Sequence, residues 1–503
     1  MSRKFGLLIF HMALLGLFTV VLAQDQPTAY FERTPCSFDF PQRYHVECGF
    51  LVAPLHRDQP GSERTRIAAA ILHTSSEQPQ PDPVVFLVGG PGSWLIQGAA
   101  EQGLGPMIER WLRERDVILM DQRGIGESQP ELACPEVDNL DTRAARSEDE
   151  AEAALMTAIS ACAARLTAEN VDLSAYNTLE NADDAADLPK ALGYEQANYY
   201  GLSYGSFVVL NVMRRHPEVV RSVILEGVTA PDINPALHFG EAFEHALREM
   251  MAACAEDAAC AAAFPDLETV TFALIEQLNA VPVSVMLTDP QTGQEVEAHI
   301  DGRSLIATLA SQFYYPANVY LMPAALYAIA AQQLEVVRPF LQSQLVNTDE
   351  PNYSTTGAFY AYRCSDNVVN ELDTSFEQGL QLLHPALEAY YRDAYEDIVQ
   401  NCGAWNVPPA APEALDPVVS DIPTLMLSGR FDPVTPATYA EHVLETLSHG
   451  YHFVFPTMGH GVVASSNRCG VRIVAAFTEA PDSGPDASCI DQEAPIQFLI
   501  PGQ

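Results

Sequence analysis

The chain has 503 residues, 48% hydrophobic and 18% charged, enough for a large buried core and unlike disordered, coiled-coil or membrane-bundle sequences. Sixty-six Asp and Glu face 26 Lys and Arg, a formal net charge of −40, which excludes nucleic acid and anionic membrane surfaces as partners. Only Lys4 and Lys190 are lysines, so nearly every cation is an arginine.

Ser2-Arg3-Lys4, the apolar run Phe5 to Leu22 and the small-residue close at Ala23 have the form of a cleaved secretory signal peptide, residues 1–23. No later stretch is apolar enough to span a bilayer, so the expected product is secreted or periplasmic, without stable membrane association. Ten cysteines in an exported chain imply disulfides. Sequence does not settle their connectivity; spacing suggests neighbours, Cys36 with Cys48, Cys134 with Cys162, Cys254 with Cys260, Cys364 with Cys402 and Cys469 with Cys489. No Cys-x-x-Cys or His cluster stands at ligand spacing, and no metal is expected.

Short apolar runs bounded by Gly, Pro or Asp predict eight buried strands. They cover Cys48–Ala53, Arg66–His73, Val84–Val88, Val117–Asp121, Asn198–Leu202, Ser222–Glu226, Thr424–Ser428 and His452–Phe455. Helices are predicted from a capping box at Ser147 and Glu150 to about Leu166, over Asp183 to Leu192, and over Ser206 to Arg215. Pro189 should kink the second or open a separate turn. Strands alternating with helices predict an α/β fold with a mainly parallel sheet. From Pro231 to about Pro412 the rhythm changes, with helical patterns at Ala236–Ala253, Leu267–Leu278, Ser304–Phe313 and Met322–Val337 and one strand, Val283–Leu287. Such a block is too long for a loop. The expected organisation is a core over 24–230 and 413–503, with a helical lid over 231–412.

Chemistry concentrates at strand ends. Gly201-Leu202-Ser203-Tyr204-Gly205 joins a strand to a helix, the sharp turn that presents a nucleophilic serine. An acid and then a histidine should follow: Asp432 lies just past the strand Thr424–Ser428, and His460 lies between Gly459 and Gly461 after the last strand. In that arrangement His460 takes the Ser203 proton while Asp432 fixes the ring. Backbone donors for an oxyanion are expected from Tyr204 and from the loop Gly89-Gly90-Pro91-Gly92, at Gly90 with Gly92 in reserve. Gly124-Ile125-Gly126 lacks the third glycine of a dinucleotide fingerprint and no phosphate loop is present, so no cofactor is expected.

Together, Gly89-Gly90-Pro91-Gly92, Asp121-Gln122-Arg123-Gly124-x-Gly126-x-Ser128 and Gly201-x-Ser203-Tyr204-Gly205 resemble the α/β-hydrolase peptidases, in particular the prolyl aminopeptidase and secreted tripeptidyl aminopeptidase group. The resemblance covers about residues 45–230 and 415–490. Val88 stands where prolyl aminopeptidases commonly carry His, which favours the exported tripeptidyl branch. The resemblance implies an α/β-hydrolase fold, an eight-stranded sheet with a helical lid, and cleavage of peptides at a free N-terminus through an acyl-enzyme on Ser203. It also implies lid carboxylates that hold the substrate ammonium, for which Glu226 and Asp366 are the candidates. A carboxylesterase with the same triad is the alternative, and a non-catalytic binding protein on this fold is a third. Phe313, Tyr314, Tyr315 and Tyr320 are expected to pack in the lid core or line an apolar pocket, and Asp121 and Arg123 to form an ion pair or loop clamp.

Scarce lysine beside abundant acid also predicts a protein suited to a saline habitat. Activity and melting temperature should hold or rise as NaCl is added; a steady fall from low salt upward would exclude this.

Overall fold

The computed structural model describes residues 29–140, 148–288, 293–345, 354–366 and 374–500. The expected signal segment, and Ser147 of the expected capping box, lie outside them. In chain order the strands are β1 (Tyr30–Thr34), β2 (His45–Pro54), β3 (Arg64–His73), β4 (Val84–Leu87), β5 (Val117–Met120), β6 (Ala197–Leu202), β7 (Val220–Glu226), β8 (Val283–Thr288), β9 (Glu295–Ile300), β10 (Thr424–Gly429) and β11 (Gly450–Phe455). Nine of them form one sheet, ordered β1-β2-β3-β5-β4-β6-β7-β10-β11. The run from β5 to β11 is parallel, and β1, β2 and β3 close the edge antiparallel.

All eight expected strands are present, and β1 is a ninth. Tyr-Phe-Glu-Arg-Thr carries too little apolar character to stand out; it is a strand because Gly49 on β2 leaves room for its backbone and because Arg66 reaches Glu32. The parallel strands have no polar face. Ile118 and Met120 of β5 enter one core cluster and Val117 and Leu119 the other; Val223 and Leu225 of β7 are likewise opposed to Ile224. Helices cover both faces, which is why these strands read as continuous apolar runs.

The helix expected from Asp183 begins earlier, at Thr178, where the Asn177 side chain caps it by accepting from the N–H of Glu180. It runs straight through Pro189 to Leu192 and ends on Gly193 in the left-handed conformation. Proline cannot donate to the carbonyl four residues back. Here the Tyr199 hydroxyl donates to that carbonyl, Ala185 O, at 3.2 Å, so β6 supplies what the helix lacks.

Between β7 and β10 the chain builds a second hydrophobic core from the helices Pro235–Glu256, Leu267–Ala280, Gly302–Phe313 and Pro385–Trp405 and the hairpin β8–β9. Most residues of the partner strand β9 are exposed. The single helix expected over Met322–Val337 is two, Met322–Ala330 and Leu334–Leu345. Gln332 adopts φ 55°, and the amides of Gln332 and Gln333 close back on Ile329 and Ala328, a helix-terminating motif without its usual glycine. One helix of this stretch packs elsewhere: Thr356–Asp366 contributes Ala358, Ala361, Tyr362 and Cys364 to the core of the sheet. The ten cysteines form the five neighbour disulfides that spacing suggested.

Tyr199→Phe should lower stability in denaturant titration by about 1–2 kcal/mol, because it orphans a buried carbonyl. In a Pro189→Ala background, where residue 189 regains its N–H, the same exchange should cost clearly less.

Candidate active site at the carboxyl ends of the parallel strands

Ser203 sits between β6 and the helix Tyr204–Arg215 at φ 57°, ψ −125°, a conformation L-residues rarely adopt. The flanking glycines make the turn possible. A Cβ on Gly201 would lie 2.6 Å from the carbonyl oxygen of Gly205, and one on Gly205 would lie 2.5 Å from that of Leu87. The loop after β4 passes just as close, since a Cβ on Gly89 would sit 2.5 Å from Cβ of Ser203. Ser203 N–H donates to Glu226 O at 2.9 Å, and Ser206 Oγ bridges Ser203 O and the N–H of Thr229. The turn is therefore tied to the end of β7.

The Asp-Gln-Arg-Gly run holds the loop above it. Asp121 accepts from the N–H groups of Leu95, Ile96 and Glu127, and Gln122 Nε2 donates to Val88 O at 2.8 Å. The two side chains grip the far and near ends of the glycine loop. Burial pushes the Asp121 carboxyl up to about 6, against the pull of the three amides. Arg123 makes no pair with Asp121; it binds Asp184, together with the carbonyls of Leu55 and Ala175. Thr355 adds a clamp from the far side, donating its N–H to Gly92 O and accepting from Trp94 Nε1 at 2.6 Å.

Asp432 is fully buried in the turn after β10. Its Oδ1 accepts from the N–H of Val434 and of Thr435, and its Oδ2 from Thr435 Oγ1 and from His460 Nδ1, the last at 2.8 Å. Burial disfavours its charge, yet His460 and these donors hold it below the usual carboxylate range. The ring answers in kind: burial opposes protonation, but Asp432 outweighs it and raises His460. A Cβ on Gly227, next to the residue that receives the Ser203 N–H, would lie 2.8 Å from Cε1 of His460, so ring and serine turn flank the same short loop. Gly459 is small for a reason not legible beforehand: a side chain there would meet the carbonyl of Phe313 in the second core.

A cleft opens beside Ser203, lined by Gly90, Tyr204, Phe207, Ile233, Arg363 and Asp366 among others. Glu226, expected as an amine anchor, is not in its wall. Its carboxylate is enclosed and accepts from Tyr200 and from the amides of Val463 and Ala464, bracing the loop that carries His460. Asp366 does line the cleft. Burial pushes its carboxyl up to about 7, against hydrogen bonds from the Thr178 N–H and Oγ1. Thr178 Oγ1 also receives the Tyr204 hydroxyl at 2.6 Å, linking Asp366 to the residue after Ser203. Of the aromatic run only Phe313 is buried in the second core; Tyr314, Tyr315 and Tyr320 are exposed, and the Tyr314 ring meets that of His460 in a T-shaped contact, centroids 5.1 Å apart. Arg363, Thr178 and Thr435 join the site through the fold. Only Thr435, three residues past Asp432 in a turn, carried a local signal.

A family model described as alpha/beta hydrolase fold matches residues 82–465. The chain is 23% identical over 470 residues to "Serine protease Hip1" of Mycobacterium tuberculosis, covering 89% of this chain and 88% of the relative. It is 24% identical over 207 residues to "Tripeptidyl aminopeptidase" of Streptomyces lividans, covering 39% of this chain and 38% of that one. A crystal structure of proline iminopeptidase from Mycobacterium smegmatis aligns with a TM-score of 0.39 at 14% identity, covering 83% of this chain and 96% of the other.

Asp121→Asn keeps the side-chain size but turns a donor toward one of the amides it now accepts from. It should lower kcat on any substrate by roughly tenfold or more through displacement of the glycine loop, with a smaller effect on KM.

Proposed function

Because the chain belongs to the α/β-hydrolase fold family, we propose that it is an exported serine exopeptidase that cleaves peptide bonds near free N-termini through an acyl-enzyme on Ser203. The observation that carries the proposal is the buried Asp432–His460 pair facing the loop that ties down the Ser203 turn. Relatives named serine protease and tripeptidyl aminopeptidase support the peptidase chemistry.

In this mechanism His460 Nε2 removes the Ser203 hydroxyl proton as Oγ attacks the carbonyl carbon. Nδ1–H stays bonded to Asp432, which orients the ring and stabilises the imidazolium. Negative charge forming on the carbonyl oxygen is met by the N–H groups of Gly90 and Tyr204, each donor worth about 3 kcal/mol of barrier. The N–H of Tyr204, first in its helix, has no intrahelical partner and is available for that. The His460 proton then passes to the departing amine, and water attacks the acyl-enzyme by the same route. The helical block over 231–412 acts as a cap, with Tyr314 placed over the ring. Asp366 is the candidate partner for the substrate ammonium, and needs to be ionised to act as one.

An esterase reading is favoured by one observation, the apolar stretch of cleft wall formed by Phe207, Ala230, Pro231, Ile233, Leu415 and Val434. A panel of amino-acyl, tripeptidyl, N-acetylated and simple ester chromogenic substrates separates the two. Free-amine peptides should lead; preference for acetylated members would overturn the aminopeptidase assignment.

Ser203→Ala should reduce kcat by about 10⁴-fold or more without unfolding the protein, and turnover surviving it would overturn the mechanism. The acid limb of kcat/KM should lie above the ordinary imidazole value of 6.5, because Asp432 raises His460. For free-amine substrates KM should fall as pH rises through about 7, as Asp366 becomes an anion. Asp366→Asn should abolish that step in KM and keep the acid limb seen with N-blocked esters.

A further inference from the structure

Arg363 lies on the helix Thr356–Asp366 and lines the same cleft as Ser203, Tyr204 and Gly90. Its guanidinium makes no ion pair or hydrogen bond with any described residue: Nε is enclosed without an acceptor, the Phe359 ring lies 5.8 Å from Cζ, and the Tyr314 hydroxyl is close enough to interact with the charge. In a chain with 66 carboxylic residues and 26 Lys and Arg, an unpaired cation is the reverse of what composition would produce. The other enclosed arginines behave in the ordinary way. Arg57 holds Glu180, Asp184 and Asp187; Arg115 holds Asp82 and Glu479; Arg123 holds Glu180 and Asp184. Asp366, three residues further along the helix, turns its carboxylate to Thr178 instead of to Arg363.

Leaving a half-buried guanidinium with its Nε enclosed and unpaired is unfavourable, and a protein rich in acids could have neutralised it by one substitution. The Arg363 side chain lines the cleft that opens beside Ser203. We infer that Arg363 is the receptor for a carboxylate carried by the substrate, bound through its planar fork of N–H donors. Two sources carry that chemistry: an acidic side chain beside the scissile bond, or the C-terminal carboxylate of a short peptide. With the neighbouring wall apolar, water competes poorly for the guanidinium, so the charge of the substrate is read strongly. The inference deepens the reading of Ser203 as nucleophile and rests on it. Taken with Asp366 for the ammonium, it describes a cleft fitted to both ends of a short zwitterionic peptide.

Matched pairs test it. Glutamyl and glutaminyl p-nitroanilides differ only in a side-chain charge, a tripeptide and its C-terminal amide only in the end charge, and mono-p-nitrophenyl succinate and its methyl ester give the same contrast in an ester. The wild-type enzyme should prefer the carboxylate member of the ester pair and of at least one peptide pair by about tenfold in kcat/KM, and the peptide pair that shows it identifies the source. Arg363→Gln should cut the preference to within about twofold, through KM, and Arg363→Lys should restore part of it. Equal rates on both members of every pair in the wild type, or a preference that survives Arg363→Gln, would overturn the inference. If esters turn over and peptides do not, the peptidase assignment fails while the ester pair still decides Arg363. A binding measurement covers the case without turnover. Glutarate, and not glutaramide at equal ionic strength, should raise the melting temperature of the Ser203→Ala protein; no shift, or an equal shift in Ser203→Ala/Arg363→Gln, would overturn the inference independently of catalysis.

Discussion

Around Ser203 the chain depends on three backbones lying closer than side chains permit. Gly201 and Gly205 let β6 turn into its helix against the end of β4, and Gly89 lets the next loop pass directly over the serine. A Cβ at any of these positions would be 2.5–2.6 Å from its neighbour, nearer than packed atoms come. Such proximity has to be held, because each backbone segment gains little by itself from the arrangement and Ser203 sits in a strained conformation. The surrounding polar residues do this. Asp121 and Gln122 fix the two ends of the glycine loop, Thr355 presses on its middle, and Ser206 and Glu226 O fix the serine turn.

The same constraint explains how the second core bears on the site. Its residues do not merely lie above the sheet. Phe431, beside the triad acid candidate, packs among them, and the carbonyl of Phe313 rests where a side chain of Gly459 would be. The two loops carrying Asp432 and His460 are thus wedged between the sheet and the second core. The helix Thr356–Asp366 takes the opposite position, joined to the sheet core by its apolar face and by Tyr362, whose hydroxyl donates to Arg123 O.

Charge is divided along these lines. Interior carboxylates act as clamps. Asp183 is buried, yet the bonds from His216 and Arg215 hold it down at about 2, and Asp184 joins Arg57 to Arg123. Most of the acidic excess lies at the surface, where salt screens it within about 8 Å and its main effect is solvation. The cleft inverts the balance of the whole molecule, with an enclosed carboxyl near its titration point and an unpaired arginine in one wall.

What could be read from the sequence was whatever depends on near neighbours in the chain. Apolar strands between helices, a serine flanked by glycines at a strand end, and an acid and a histidine in the required order all express local rules, since steric and periodic constraints act over a few residues. The Asp-Gln-Arg-Gly run was recognisable, but its work was not, because its partners at Val88, Leu95 and Asp184 are set by the fold. The passage of a helix through Pro189 depends on Tyr199 from an adjacent strand, and β1 exists only against β2. Glu226 and Asp366 looked equivalent as candidates; tertiary packing turned one toward the histidine loop and the other into the cleft. Only the folded chain decides which charges find partners, and so only there does Arg363 stand out, since desolvation and pairing are properties of surroundings that sequence neighbours do not supply.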